Sequence, residues 1–563
     1  MEYKATEKGF NLCCNGVNFE FSKTKEFAKN GIFYETSVLG SAPVPKIQKG
    51  DRILLPMGEG IALISDKDYS CGSINRDKIT ARFCTHLATM AMVIVERAGR
   101  FLLIALEDGF DAGYVAERID GIYQLKIVCD TEKKVRYAAF SSLAAACKAY
   151  RELKGKNVLL EEKLKETPEA KKLIGGGIFW LWNDNYNEIM YSDKEYNGEC
   201  AVGADMINIA KELYDNGVKN AMFGIFFEDD SPLTESLYKR FGYIATKYDN
   251  YDDVLNPELL NLIPQNRVKF CDYTARRLKD YPNSVQVRAD GKLQPAWALR
   301  GKDGNLHSQN KMCAVCIEKR MREEIPEILK KYPYYKGRFI DVYGCSLSKC
   351  FSKEHPMSLQ ECRDVKNKAF RFIKEQGIIA ATENGFEDII DNLVYTEGLH
   401  SPEIYRIKEC GRNHANVYND EQTEWEALYM MNPECRVPLW QLCYHENLLT
   451  FGYWGDSTAA CKKFIKEKTL FACLYGCPPI YSFKVGKFKE LKNDIIESYK
   501  VITELHKKTA QLPMTDFKVL TEDYKVQKSV FGENTEVVAN FSETPYIYKG
   551  KEIAPKGVIS IEI

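Results

Sequence analysis

RFIDVYG (338–344), the helix-like QECRDVKNKAFRFIKEQ (360–376) and GIIAATENG (377–385) together decide the fold. Two short apolar runs, each carrying a lone carboxylate, Asp341 and Glu383, flank a stretch with helical spacing. Strand, helix, strand is a parallel crossover, so both strands run the same way and both carboxylates can emerge on one face of a sheet or barrel. A charge inside RFIDVYG is expensive unless it is paired or functional. Two facing carboxyl groups are the minimal equipment for cleaving a glycosidic bond.

The same texture spreads outward. GGIFWLW, AMFGIFF, GYIATKY, VPLWQLCY and TLFACLYG read as further strands, with an eighth expected near 392–405 and helical stretches such as ADMINIAKELYDNG and AVCIEKRMREEIPEILKKY between them. Apolar runs alternating with amphipathic helices indicate a parallel α/β sheet, and seven or eight repeats predict a (β/α)8 TIM-like barrel over 175–510. Residues 1–145 hold short β-branched and aromatic segments broken by Gly, Asp and Asn, which predicts an N-terminal β-sandwich; 146–174 read as a helical linker, and 511–563 as a small C-terminal β-domain. The polar insertion 248–309 is expected to contribute to the barrel rim.

Composition narrows the function. The net charge of −1, from 78 basic and 79 acidic residues, argues against coating nucleic acid or steering to membranes. No run of 18 apolar residues predicts a membrane span, and MEYKATEKGFNLCCNG has no signal-type core. The 19 cysteines, odd in number and scattered, read as reduced buried thiols of a cytoplasmic protein. Cys313-Ala-Val-Cys316 is a lone pair in helical context. Zinc would need two more ligands, and neither His307 nor the later cysteines give a recognised spacing, so it is read as structural. The glycines at 175–177 precede a strand, which fails the phosphate-loop test, and no GxSxG elbow is present.

Barrel chemistry sits at the C-terminal ends of the strands. There the sequence places Trp182 and Asp184, the acidic run 228–230, Asp249, the Asp341 and Glu383 pair, His445, and Trp454 with Asp456. Carboxylates grip vicinal hydroxyls and indoles stack on the apolar face of a sugar, so a carbohydrate partner is expected. The acidic run is more simply a solvated surface and His445 a buried support, while Trp182 and Trp454 read equally as core or as sugar platforms.

The stretch 338–385, with YTEGLHSP, VPLWQLCYHENLLTFGYWGDS and LPMTDFKVLTEDYKVQKSVFGENTEVVANFSETPY, resembles the endo-α-N-acetylgalactosaminidase families, glycoside hydrolase families 101 and 129. Modest length fits family 129 better. The resemblance implies a retaining exo-α-glycosidase with Asp341 as nucleophile, Glu383 as acid/base and Asp249 on sugar hydroxyls. It also implies a calcium ion near the site, with ligands unassigned; the residues themselves demand no cofactor. Where relatives more often carry His-Asp, this chain has His445-Glu446. Double displacement expects the two carboxyls about 5–5.5 Å apart. The alternatives are a related glycosidase for α-galactosides or α-glucosides, a non-catalytic glycan-binding protein on the same barrel, and a zinc or thiol-redox protein built on the cysteines.

Overall fold

A computed structural model describes residues 2–6, 9–22, 27–70, 76–193, 203–226, 231–270, 276–406, 424 and 426–562. Its centre is an eight-stranded, all-parallel sheet: β1 (Gly177–Trp182), β2 (Ala221–Ile225), β3 (Ile244–Asn250), β4 (Tyr335–Asp341), β5 (Ile379–Glu383), β6 (Tyr395–Glu397), β7 (Leu449–Phe451) and β8 (Ile480–Lys484). The order is β7-β6-β5-β4-β3-β2-β1-β8, so the first and last strands pair and only the β7/β8 seam lacks a ladder. This is a nearly closed TIM-like barrel, as the alternation of apolar and amphipathic stretches predicted.

The period-2 rule sorts the strand residues onto two faces. Ile178, Trp180, Trp182, Tyr248, Phe339, Ala381, Tyr395 and Phe451 form one apolar cluster, the barrel interior. Phe179, Leu181, Phe223, Ala245, Tyr481 and Phe483 form another with the surrounding helices. Those helices are α1 (Gly203–Asp215), α2 (Ser231–Phe241), α3 (Ala314–Lys331) and α6 (Phe488–Thr509), while α4 (Leu359–Glu375) and α5 (Ile465–Tyr475) pack in the core shared with the N-terminal sheets. The α4 helix starts at a capping box, Ser358 with Glu361, as S-x-x-E dictates.

Two expected strands are helices. VPLWQLCY forms the short helix Leu439–Tyr444, and TLFACLYG lies in α5. Both are buried on every side, so their hydrophobicity has no period to separate strand from helix. The strands they displace are LTF (449–451) and IYSFK (480–484), too short to stand out in the sequence.

Before the barrel come two antiparallel sheets of three and nine strands, sharing one core in which Phe21 meets Tyr137. After it, Met514–Val519, Val526–Phe531, Thr535–Asn540 and Gly557–Glu562 form a four-stranded antiparallel sheet. The insertion between β3 and α3 contributes a three-stranded sheet of Asp253–Val254, Pro295–Arg300 and Leu306–Lys311. Among the described residues no helix is long and apolar enough to cross a membrane.

Candidate active site

Strand register assembles the site. Asn250 on β3 is the Cα partner of Asp341 on β4, Ile340 pairs with Thr382, and Glu383 on β5 pairs with Glu397 on β6, which sits beside Phe451 on β7. The layer at the C-terminal mouth therefore reads Asn250, Asp341, Glu383, Glu397, Phe451.

Asp341 and Glu383 meet. Their carboxyl groups lie in hydrogen-bonding contact, closer than the spacing expected for double displacement. Two carboxylates about 4 Å apart repel by about 4 kcal/mol at an effective dielectric of 20, enough to hold a proton between them at neutral pH. The structure adds to this. Burial first, then the Glu383 charge, pushes Asp341 well above the usual carboxylate range. Burial also raises Glu383, against the pull of the Arg406 guanidinium. Both side chains nonetheless keep some solvent exposure at the mouth.

Neutral donors fix each group. The Tyr248 hydroxyl donates to Asp341 Oδ2, and Asn250 Nδ2 donates to the same oxygen at 3.2 Å. Asn250 also bonds Asp253 at 2.7 Å, and burial raises that carboxyl to about 7, with Asp252 and Asp341 adding to it. The Val342 N–H donates to Glu383 Oε2 at 3.2 Å, and the Cys345 thiol lies 3.6 Å from that oxygen. Both residues that follow the pair, Val342 (φ 61°) and Asn384 (φ 54°), are left-handed. For a β-branched valine this is a strained conformation, and such strain persists only where surrounding contacts impose it. They do here: Gly344 N–H donates to Thr382 Oγ1 at 2.8 Å, and buried Lys366 from α4 bonds Tyr343 O. A Cβ at Gly344 would stand 2.3 Å from Thr382 Cγ2, so the turn admits only glycine.

Glu397 was not singled out from the sequence. It is fully buried, accepts a 3.0 Å hydrogen bond from Trp180 Nε1, and is pushed well above its ordinary range by burial. Its position at the end of β6, inside the quoted YTEG, was the available signal. Gly224 makes room for its partner, since a Cβ there would lie 2.1 Å from the Trp180 ring.

The other expected site residues divide. Trp182 and Trp454 do come together, ring centres 5.4 Å apart; Trp182 is buried with its indole N–H on Ser482, while Trp454 is half-buried. Asp249 faces the other way from the pair. Alternation along β3 turns Tyr248 and Asn250 to the interior and Asp249 outward, where it meets buried Arg338 at 3.0 Å. Asp184 is exposed and accepts the Gly486 N–H at 3.0 Å, clipping the turn before α6. Asp456 is buried in an ion pair with Lys468. His445 caps the Leu439–Tyr444 helix and bonds the carbonyls of Leu512 at 2.7 Å and Gly476 at 3.1 Å; it joins the barrel to the C-terminal sheet, and burial lowers its pKa. The acidic run 228–230 lies outside the described residues.

Among the described residues, the groups of three or more His, Cys, Asp or Glu with converging ligand atoms are Cys313/Cys350/His355 and Glu59/His400/Cys477. Neither offers the oxygen-rich set that calcium takes. In the second, the Arg436 guanidinium already occupies Glu59, whose other oxygen bonds His400 at 2.7 Å.

Comparison with known proteins agrees with this fold. No curated protein sequence matches the chain. The fold matches α-N-acetylgalactosaminidase NagBb from Bifidobacterium bifidum in its GalNAc complex, with a TM-score of 0.67 at 16% identity over 96% of this chain and 90% of that one. The quadruple mutant of NagBb gives 0.69 at 16% identity over 94% and 95%, and its Gal-NHAc-DNJ complex 0.66 at 15% over 98% and 96%. Residues 422–530 match the family described as glycosyl hydrolases related to GH101 family, GH129. Over that segment, and in its barrel, the chain is similar to glycoside hydrolase family 129.

Proposed function

We propose that the chain is a retaining exo-α-glycosidase acting on terminal α-linked N-acetylgalactosamine. The observation that carries the reading is the proton-sharing contact of Asp341 and Glu383 at the barrel mouth. While the two carboxyls touch, burial and the Glu383 charge favour the proton on Asp341; once a sugar parts them, the Tyr248 and Asn250 donors favour the charged form of Asp341 and leave Glu383 to carry the proton. That is the division of labour double displacement needs. A sugar entering the mouth separates the pair, and its anomeric carbon takes the place between them.

Asp341 then attacks the anomeric carbon as Glu383 passes its proton to the departing glycosidic oxygen. The C–O bond to the aglycone breaks and an ester to Asp341 forms. In the second half Glu383, now a carboxylate, takes a proton from water, whose oxygen displaces Asp341. Two inversions return the original anomer. The exposed side of Trp454, backed by Trp182, offers a platform for the apolar face of the sugar. The N-acetylgalactosamine preference rests on the likeness to NagBb, which binds GalNAc.

The test is a panel of nitrophenyl α- and β-glycosides, with proton NMR of the first product. Cleavage of the α-N-acetylgalactosaminide with α-product formed first is expected. β-Product formed first, or turnover of no glycoside, overturns the proposal.

A further inference from the structure

The Cys313-x-x-Cys316 pair has no obvious partners in the sequence, but the fold supplies them. Cys313 is the N-cap of α3 and Cys316 lies in its first turn. Cys350 and His355 come from the long connection between Asp341 and α4, folded back on itself where Cys350 and Met357 bridge through paired 2.8 and 2.9 Å hydrogen bonds. The Sγ atoms of Cys313 and Cys350 and a ring nitrogen of His355 lie within 4.8 Å of one another, all buried or nearly so. Cys316 is half-buried beside them, within electrostatic reach of Cys350, and its thiol is hydrogen-bonded to Ser284.

We propose that Cys313, Cys316, Cys350 and His355 bind a structural zinc ion. Cys313, Cys350 and His355 converge as three ligands, and Cys316, outside that set but within electrostatic reach of Cys350, would turn from Ser284 to complete a four-coordinate Cys3His centre. Zn–S near 2.3 Å and Zn–N near 2.05 Å at a tetrahedral angle require S···N of about 3.6 Å, and Cys350 Sγ lies 3.4 Å from His355 Nδ1. The ring is already oriented: His355 Nε2 faces the Asn283 carbonyl at 2.8 Å, so that nitrogen carries the hydrogen and Nδ1 presents its lone pair to the sulfurs. The Val287 N–H points at Cys350 Sγ at 3.4 Å, a donor suited to a metal-bound thiolate. Three thiolates and an imidazole select zinc over calcium or magnesium. Binding releases the thiol protons to solvent, and no redox step is involved.

The ion would tie two segments together, the start of α3 and the folded-back loop, and a third, 284–287, already hydrogen-bonds to both. Phe351 N–H bonds Val287 O at 2.8 Å, Gln286 Nε2 bonds Lys349 O at 2.9 Å, and Cys313 N–H bonds Ser284 O at 2.9 Å. One of these segments is the loop leaving Asp341, so the zinc would anchor the far end of the turn that positions it.

The test is zinc content of the full chain, purified without chelator, followed by exchange with cobalt(II). About one zinc per chain, and on exchange the near-ultraviolet thiolate-to-cobalt band with the visible bands of tetrahedral cobalt, is expected. Cys350→Ser should lose the metal, His355→Cys should keep it, and Cys473→Ser, a buried thiol on α5, should leave it unchanged. Wild-type chain without zinc and without a thiolate–cobalt band overturns the proposal, whatever the variants do; so does a disulfide between Cys313 and Cys350. None of these readouts depends on glycosidase activity.

Discussion

Removing the Tyr248 hydroxyl isolates one contact that favours the charged nucleophile against burial and the Glu383 charge. Tyr248→Phe preserves the ring, which packs against Phe226 and Phe339 at 4.5 and 6.1 Å, and deletes only the O–H donor to Asp341. A hydrogen bond to a charged group contributes about 1.5–3 kcal/mol. Asn250 stays on the same oxygen at 3.2 Å, so the lower half of that range applies. The lost donor acts only on the ionised form, so Asp341 needs a higher pH to ionise. At about 1.4 kcal/mol per tenfold, the acidic limb of kcat/KM should move up by about 1 pH unit, with kcat near the optimum falling about tenfold. The assay is a pH–rate profile on a nitrophenyl α-glycoside, with thermal melting alongside. A lower Tm with an unmoved limb would refute the reasoning and reduce Tyr248 to packing.

Three further outcomes follow from named contacts. Glu383→Ala should lose most activity on alkyl glycosides yet keep turnover on substrates whose leaving group needs no proton, and azide should restore rate by replacing water; equal loss on both substrate types contradicts the acid/base role. Asp249→Asn strands Arg338 as a buried unpaired charge, costing about 3–5 kcal/mol, so Tm should fall while KM holds; a raised KM at unchanged Tm would return Asp249 to the sugar. His400 is raised to about 9, since the Cys477 sulfur and Glu59 carboxylate outweigh burial. A raised folded-state pKa means this stabilisation is complete below pH 6.5 and is lost as pH climbs toward 9. Tm should decline across that window, and His400→Gln should flatten the decline.

The barrel was legible in the sequence because most of its strands are apolar runs between amphipathic helices, and because Asp341 and Glu383 break otherwise apolar strands. The last quarter of the barrel was not. The segments at 437–444 and 469–476 are apolar on all sides, and burial on all sides erases the period that distinguishes helix from strand. Within the site, the limit was parity. YDNYDD offers four acidic or amide residues after Tyr248, two on each side of Tyr251, and nothing local says which face each takes. Pairing of β3 with β4 decides it, giving Asn250 to the nucleophile and Asp249 to Arg338. His445 was drawn to the rim by a supposed strand that is a helix, whereas Asp456 does follow β7 and is held there by Lys468. The Cys313 cluster was hidden differently: its remaining members lie beyond β4, and only the folded-back loop brings them home.

The most direct measurement is to trap the glycosyl-enzyme. Incubation with a 5-fluoro-α-glycosyl fluoride, followed by proteolysis and mass spectrometry of the labelled peptide, reads the attacking atom itself. One sugar per chain, esterified to Asp341 and absent from Asp341→Asn, is the expected result. A label on any other carboxylate, Glu383 and Glu397 included, would contradict it.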